Sequence, residues 1–516
     1  MSAAAEATSP PSIRVAKGAS WAFTQGLVSS IAILAYYAFA TRILSVTEIG
    51  VLVALSMIAL LFVEIGALAL PSAATKYIAE NIGKGRLDVA KGIFQGVSKY
   101  GLVSSVVLAL ICFGASTFIS RFVLGTEAYQ ILFSILALDI FAMLFTRYLA
   151  GSLYGLGKLR EASLAYIALR MVRVGGAISF LLLGYGLMGV VIGWVIGDFV
   201  GLGLMSLFVS KPFKVKPVAF PSRELLRYSI PLYATEMLAY FSLYIERYLI
   251  LGLGEFSILA IFTMAIAASN IPMLASRSIG LALFPQLSEM YGRRGVDTLK
   301  KAALKASRYV CFIFVPCAVG LAAIAYPDIL LFVGSQYLDA ALPLAIISGA
   351  AALVCMETIV YNLMLSLGRT RILLEAGVFA ILVDVALFIL LLPPLGIIGA
   401  AFAKAGLIVV LFVYPSIRLR KFFELRFDKG AYGKAWVASL VMMTVLIAIQ
   451  ALWMTPWLLP LYVVVGGGVY LAVLRILRAV NAEDFALVRQ FLPRRLSGKS
   501  LNAIAKILGV REEVTK

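Results

Sequence analysis

The sequence predicts an all-α polytopic membrane protein of about fourteen transmembrane helices, arranged as two parallel six-helix lobes plus two C-terminal helices. Three observations predict it. The 516 residues are 62% hydrophobic and only 14% charged, whereas soluble domains are nearer half apolar and a quarter charged. Apolar runs of about 20 residues recur along the chain, each long enough to cross a hydrocarbon core of ~30 Å as a helix. The chain also resembles itself at a nearly constant offset.

The runs must be helical, because lipid offers no partners to unpaired backbone groups, and the short alternating strands of a β-barrel are not seen in the sequence. An N-terminal segment, 1–17, precedes a first lobe at 18–209 with spans at 18–40, 49–69, 97–118, 130–151, 162–183 and 187–209. A linker at 210–227 leads to a second lobe at 228–417, with spans at 228–251, 257–282, 308–327, 341–365, 373–392 and 396–417. Two more spans fall within 434–478, and 479–516 forms an amphipathic tail with Phe485, Val488, Phe491 and Leu492 on one side. The first run is too long for the apolar core of a signal peptide and is retained as a helix.

Charge placement sets the orientation. The net charge is +19, and the basic residues concentrate in alternate loops: Lys76, Lys84, Arg86 and Lys91, then Lys158 and Arg160, Lys211 to Arg223, Arg293 to Lys301, Arg369 and Arg371, Arg418 to Arg426. The opposite connections hold Arg121, with Arg42 at a helix edge. This positive-inside asymmetry places both termini in the cytoplasm of a multi-pass cell-membrane protein. The basic excess is therefore a topology signal, and no nucleic-acid partner is expected.

Self-comparison gives the lobes. Residues 44–57 lie over 251–264, sharing Leu44/Leu251, Glu48/Glu255, Leu52/Leu259 and Met57/Met264. Residues 79–100 lie over 288–309, sharing Glu80/Glu289, Gly83/Gly292, Asp88/Asp297, Lys91/Lys300, Ser98/Ser307 and Tyr100/Tyr309. GLGKLR at 155–160 matches SLGRTR at 366–371, and GLMG at 186–189 matches GIIG at 396–399, so the offset drifts only from 207 to 211. An even number of spans per unit keeps the copies parallel, an arrangement that in transporters places the substrate path between lobes. Each repeat carries a polar stretch after its second span, 71–96 and 284–307, read as a helix lying in the interface, with a partner-binding helix as the other reading.

Several residues resemble a known family. KGASW at 17–21, RILSVTEIG at 42–50, KYIAE at 76–80, Ser229-Ile230-Pro231-Leu232 and the L-x-x-G-K/R turns after spans four and ten resemble polysaccharide and lipid-linked oligosaccharide flippases. These form the polysaccharide transporter branch of the multidrug/oligosaccharidyl-lipid/polysaccharide exporter superfamily. The resemblance implies alternating access without an ATP site, a lipid-linked saccharide as cargo, membrane lipids around it and glycan assembly enzymes as neighbours. A cation-coupled exporter of small organic compounds and a non-transporting scaffold for glycan assembly are the alternatives.

Ionisable groups at mid-depth cost roughly 2.5–3.5 kcal/mol on insertion scales, so each is a functional candidate. Arg170 and Arg173 lie roughly 13 and 18 Å into the fifth span at 1.5 Å per residue, on one face. Two guanidiniums can hold a diphosphate through forked hydrogen bonds; alternatively they neutralise Asp139 and Asp198. Arg147 is a further cavity candidate or snorkels to the interface, and Arg277 is a cavity candidate below Asn270 and Pro272. In the second lobe Glu357, Asp384 and Lys404 are deep: either Lys404 pairs with a carboxylate between helices, or Asp384 or Glu357 couples transport to Na+ or H+. Glu64, Glu246 and Arg247 read as rim or gate residues or as interface anchors.

No enzyme is expected. The chain has no histidine, which removes His-based triads and His metal sites. The short loops hold no paired carboxylates, metal cluster or nucleophile constellation, and no cofactor or metal is expected beyond a coupling cation. Cys112, Cys311, Cys317 and Cys355 fall in apolar runs and read as small core residues. Gly189, Gly193, Gly197 and Gly201 form a small-residue ridge for close helix packing, and Gly466 to Gly468 are likewise packing residues.

Overall fold

A computed structural model describes residues 11–210, 215–424 and 427–479, with side chains left undescribed at 11–19, 273–299 and 301–302. The described residues contain helices and no strand. The chain divides into two compact units, Met1–Thr263 and Met264–Lys516.

The first unit is built from α1 (Pro11–Ile43), α2 (Val46–Ala67), α3 (Leu70–Gly83), α4 (Leu87–Gly114), the short α5 (Ser116–Leu124), α6 (Gln130–Gly155), α7 (Leu159–Leu182), α8 (Gly186–Ser210) and α9 (Ser222–Gly252). The RILSVTEIG turn is a capping box. Ser45 Oγ accepts the Glu48 N–H at 3.3 Å, and the Ser45 N–H donates to Glu48 Oε2 at 2.8 Å, so two orphan amides at the start of α2 are satisfied. Leu68 and Ala69 take left-handed backbone angles (φ 48° and 53°) and end α2. The stretch 71–96, expected as one interfacial helix, is divided at 84–86 between α3 and the start of α4. There Thr75 Oγ1 donates to the Gly151 carbonyl at 2.8 Å, and a Cβ on Gly151 would sit 2.4 Å from the Pro71 oxygen.

The linker docks on this unit. The Val218 N–H donates to the Asp88 carbonyl at 3.1 Å and Lys91 Nζ to the Val215 carbonyl at 2.6 Å. A Cβ on Gly92 would meet the Val218 oxygen at 1.8 Å, so glycine admits the linker there. The glycine ridge of α8 packs as expected. Added Cβ atoms on Gly193, Gly197 and Gly201 would lie 2.4–2.6 Å from atoms of Ala177, Arg173 and Leu169 on α7.

The division between units follows α9 rather than preceding it, because α9 is fastened to α2. The hydroxyls of Tyr240 and Tyr248 both donate to the Met57 carbonyl, at 3.2 and 3.0 Å. Phe256, just beyond α9, contacts Gly50, where a Cβ would meet its carbonyl oxygen.

A single helix, α10, runs Phe256–Ala323. The spans expected at 257–282 and 308–327, and the interfacial helix expected at 284–307, are therefore one continuous helix. The polar stretch between them holds Pro285, Gly292 and Gly295, yet the helix runs through it without a break. In the second unit it is followed by α11 (Ala325–Phe332), α12 (Ala341–Leu353), α13 (Glu357–Ser366), α14 (Thr370–Leu395), α15 (Ile397–Leu419), α16 (Lys429–Leu452) and α17 (Leu459–Ile476). The span expected at 341–365 is broken at 354–356 into α12 and α13. A core of Val310, Phe314, Ile359, Leu363 and Leu419 joins α10, α13 and α15. Arg308 binds Asp428 at 3.0 Å and the Ala479 carbonyl at 2.6 Å, fixing the ends of α16 and α17. Cys112, Cys311 and Cys355 are buried, but Cys317 is exposed and is not a core residue.

Among the described residues, twelve helical segments are long and apolar enough to cross a membrane. The other two of the fourteen expected spans correspond to α9, which carries more charge, and to the apolar stretch Phe256–Pro272. The protein is a polytopic all-α membrane protein.

Candidate functional site

The ionisable groups of the first unit gather at three places. The innermost is a triad on α6, α7 and α8. Arg173 pairs with Asp198 and lies 3.4 Å from Asp139 Oδ1, and its guanidinium packs 4.8 Å from the Trp194 ring centroid. Asp139 is fully buried, and the Arg173 side chain is only 12% exposed. Gly197 makes this pairing geometrically simple: without a Cβ, α8 approaches the backbone of Arg173 and brings Asp198 to its guanidinium. Arg173 thus neutralises two carboxylates, the structural alternative weighed for it above.

The second cluster joins α2, α3, α6 and α9. Arg147 pairs with Glu64, and its other terminal nitrogen lies 3.4 Å from Glu236 Oε2. Ser72 Oγ donates to Glu236 Oε1 at 2.7 Å. Arg147 therefore does not snorkel freely but holds two carboxylates. Glu236 was missed in the sequence because α9 is too polar for its depth to be read from hydropathy.

The third place is formed by α1, α7 and α9. Tyr37 on α1 lies within electrostatic reach of Arg170, Arg247 and Tyr244. Arg247 packs 5.0 Å from the Tyr244 ring centroid, and Tyr244 stacks against Tyr240 with centroids 4.9 Å apart. Among the described residues no carboxylate lies within ion-pair distance of Arg170, whose electrostatic neighbours are Arg173, Tyr37, Asp139 and Tyr166. Nε of Arg247 is buried without a hydrogen-bond acceptor. Glu246, beside it, is buried and engaged in a polar or electrostatic contact.

Arg170 and Arg173 are thus separated in role. Three residues along a helix at 3.6 per turn turn the side chains about 60° apart, enough to send Arg173 to α6 and α8 and leave Arg170 by α1. The tyrosines at this place carry no distinguishing pattern in the sequence, apart from the four-residue spacing of Tyr240, Tyr244 and Tyr248 on α9.

In the second unit, Asp384 on α14 and Lys404 on α15 are buried, and each is engaged in a polar or electrostatic contact, as is Glu357 at the start of α13. Nearby, Glu375 accepts from the Tyr414 hydroxyl at 2.9 Å and binds Arg418 and Arg371, each at 3.2 Å. The Arg277 side chain lies outside the described residues.

Residues 39–342, more than half of the chain, match the family model described as polysaccharide biosynthesis protein. The chain belongs to that family. Among curated relatives of the chain is the "Probable low-salt glycan biosynthesis flippase Agl15" of Haloferax volcanii, 24% identical over 305 residues. That alignment takes in 57% of this chain and 63% of the relative, under two thirds of its length. An uncharacterised membrane protein of Methanocaldococcus jannaschii is 24% identical over 462 residues, 82% of this chain and 87% of the relative. Among solved structures, the lipid II flippase MurJ in its inward closed conformation superposes with a TM-score of 0.72 at 16% identity, covering 92% of this chain and 99% of MurJ. An inward-facing multidrug resistance MATE transporter of the MOP superfamily gives 0.66 at 18% identity, covering 76% of this chain and 95% of that one. The fold is the one shared by these flippases and exporters.

Proposed function

We propose that this protein flips a lipid-linked oligosaccharide or polysaccharide unit, carried on a polyprenyl or dolichyl phosphate or pyrophosphate, across the cytoplasmic membrane by alternating access, with both termini in the cytoplasm. The observation that carries the reading is the contrast between the arginines of the first unit. Arg173 and Arg147 are ion-paired with carboxylates, whereas Arg170 and Arg247, both within electrostatic reach of Tyr37, form no such pair among the described residues. Two guanidiniums without an ion pair suit a phosphate or pyrophosphate headgroup, which they bind through forked hydrogen bonds. The rings of Tyr37 and Tyr244 beside them offer apolar faces to a sugar. The family's description as polysaccharide biosynthesis proteins supports a glycan cargo.

The Glu64–Arg147–Glu236 cluster, where two carboxylates share one guanidinium, is the place in this unit for a coupling H+ or Na+. Asp384 and Glu357 are its counterparts in the second unit. A cation-coupled exporter of small organic compounds shares the fold and would use the same carboxylates without needing Arg170 or Arg247.

The test is reconstitution of the full chain in vesicles and measurement of translocation of a polyprenyl-diphosphate-linked oligosaccharide. Arg170→Gln and Arg247→Gln are each expected to slow translocation at least tenfold while eluting as folded protein. Equal rates in wild type and both variants would refute the headgroup role. Absence of translocation by the wild type would favour export or a scaffold.

A further inference from the structure

The second unit holds a cavity of about 320 Å³ at the basic end of its helices, formed where the α12–α13 break, the end of α15 and the start of α16 meet. This is the small end of the ~300–1,000 Å³ range of ligand sites, room for a headgroup and the first carbons of a chain. Met356 and Phe412 make an apolar floor. Val413 and Ile417 line it while remaining 41% and 56% exposed, so the lip is apolar on the side where lipid would lie. Arg420 and Lys429, both exposed, supply the charge. The Tyr432 hydroxyl closes one wall by donating to the Leu353 carbonyl at 3.1 Å, across the break.

Two features set this cavity apart from a packing defect. The basic residues around it are mostly committed: Arg418 to Glu375, Arg308 to Asp428, Lys300 to Glu424, Lys434 to the Arg478 carbonyl, and Arg369 over the Phe422 ring. Arg420 and Lys429, which line the cavity, form no ion pair among the described residues. The second feature is Ser416. It is 8% exposed and lines the cavity, and its Oγ, itself closed to solvent, has no hydrogen-bond partner among the described residues. Serines and threonines within helices commonly donate to the carbonyl four residues back, as Ser366 and Thr444 do here at 2.8 and 2.9 Å. Ser416 does not. A buried hydroxyl without a partner costs free energy, and a turn about its χ1 would bring it to a ligand oxygen in the cavity.

We infer that this cavity binds the headgroup of an anionic phospholipid, distinct from the transported cargo: the phosphodiester meets Arg420 and Lys429 and accepts from Ser416 Oγ, while the first chain segment lies on Phe412, Met356 and Val413. The apolar floor and lip favour a membrane lipid over a soluble anion, and the pair of free cations favours an anionic over a zwitterionic headgroup. Held there, the lipid would brace the α12–α13 break against α15 and α16.

The full-length chain, delipidated in detergent, is titrated with phosphatidylglycerol or phosphatidylcholine, and bound lipid is counted by native mass spectrometry. Phosphatidylglycerol should be retained in preference, and Arg420→Gln and Lys429→Gln should each weaken retention about fivefold, corresponding to about 1 kcal/mol per cation near an anionic headgroup. Both sites are exposed, so elution as folded protein is expected for both. Ser416→Leu fills the cavity without changing charge and should abolish retention while both cations remain. Equal phosphatidylglycerol retention by wild type and the Arg420→Gln/Lys429→Gln double variant would overturn the inference. Phosphatidylcholine binding as tightly would do the same. Displacement of phosphatidylglycerol by equimolar polyprenyl monophosphate would also overturn it and assign the cavity to the cargo.

Discussion

Replacing Arg173 with methionine tests whether this arginine is structural. The side chain is 12% exposed, and its two carboxylates, Asp139 and Asp198, are 0% and 4% exposed. Methionine keeps most of the stem's volume but leaves both carboxylates without their cation, and breaking a buried pair in this way costs about 3–5 kcal/mol. The cation–π contact to Trp194 is lost as well, a further cost of about 0.5–2 kcal/mol. At roughly 2–4 °C per kcal/mol for a unit of this size, apparent Tm should fall by roughly 7–28 °C. The assay is thermal denaturation in detergent, followed by the fraction still eluting as folded monodisperse protein, with a double-mutant cycle. In an Asp139→Asn/Asp198→Asn background no uncompensated charge remains, so the same Arg173→Met change should cost less than about 1.5 kcal/mol. The reasoning is refuted if Arg173→Met alone leaves Tm within 1–2 °C of wild type, or if its cost is the same in both backgrounds. Arg170→Gln serves as the contrast: it breaks no ion pair among the described residues, so its effect should fall on translocation rather than on Tm.

Two further predictions follow from packing and capping. Gly197→Ala would place a Cβ 2.5 Å from Arg173 Cβ and 2.6 Å from its Cα and N, so α7 and α8 must separate, at about 1–3 kcal/mol of overpacking. Gly203→Ala, on the same helix with nothing within 4 Å, should be neutral, and equal Tm values for the two variants would contradict the close-approach account. At the start of α16, burial raises the Asp428 carboxyl, but the Ala431 N–H and the Arg308 guanidinium outweigh it and hold the group below its ordinary value. A lowered folded-state pKa stabilises above the ordinary value and is lost as pH falls through the folded one. Asp428→Ala should therefore cost about 1 kcal/mol at pH 7 and nothing once the wild-type group is protonated. An equal loss of Tm at neutral pH and below the folded-state pKa would exclude the carboxylate as the cause.

What could be read from the sequence divides along a physical line. The bilayer imposes length, helicity and the siting of charge on each span separately, so most of the spans, the glycine ridge on α8 and the family were legible one segment at a time. The merging of two expected spans into α10 was not, because the polar stretch between them carries Pro285, Gly292 and Gly295, residue types that ordinarily end or kink a helix. The site needed contacts between helices. Arg170, Arg173, Asp139 and Asp198 were visible as deep charges, and which arginine is ion-paired could be posed but not assigned. Assignment came from Gly197, which brings α8 to the backbone of Arg173 and so delivers Asp198 to one guanidinium and not to the other, about 60° round the helix. Glu236 shows the opposite case. On a helix as polar as α9 a carboxylate attracts no notice, and it becomes a candidate only because Arg147 and Ser72 converge on it. A carboxylate is hardest to place where its span is least apolar, because there hydropathy stops reporting depth.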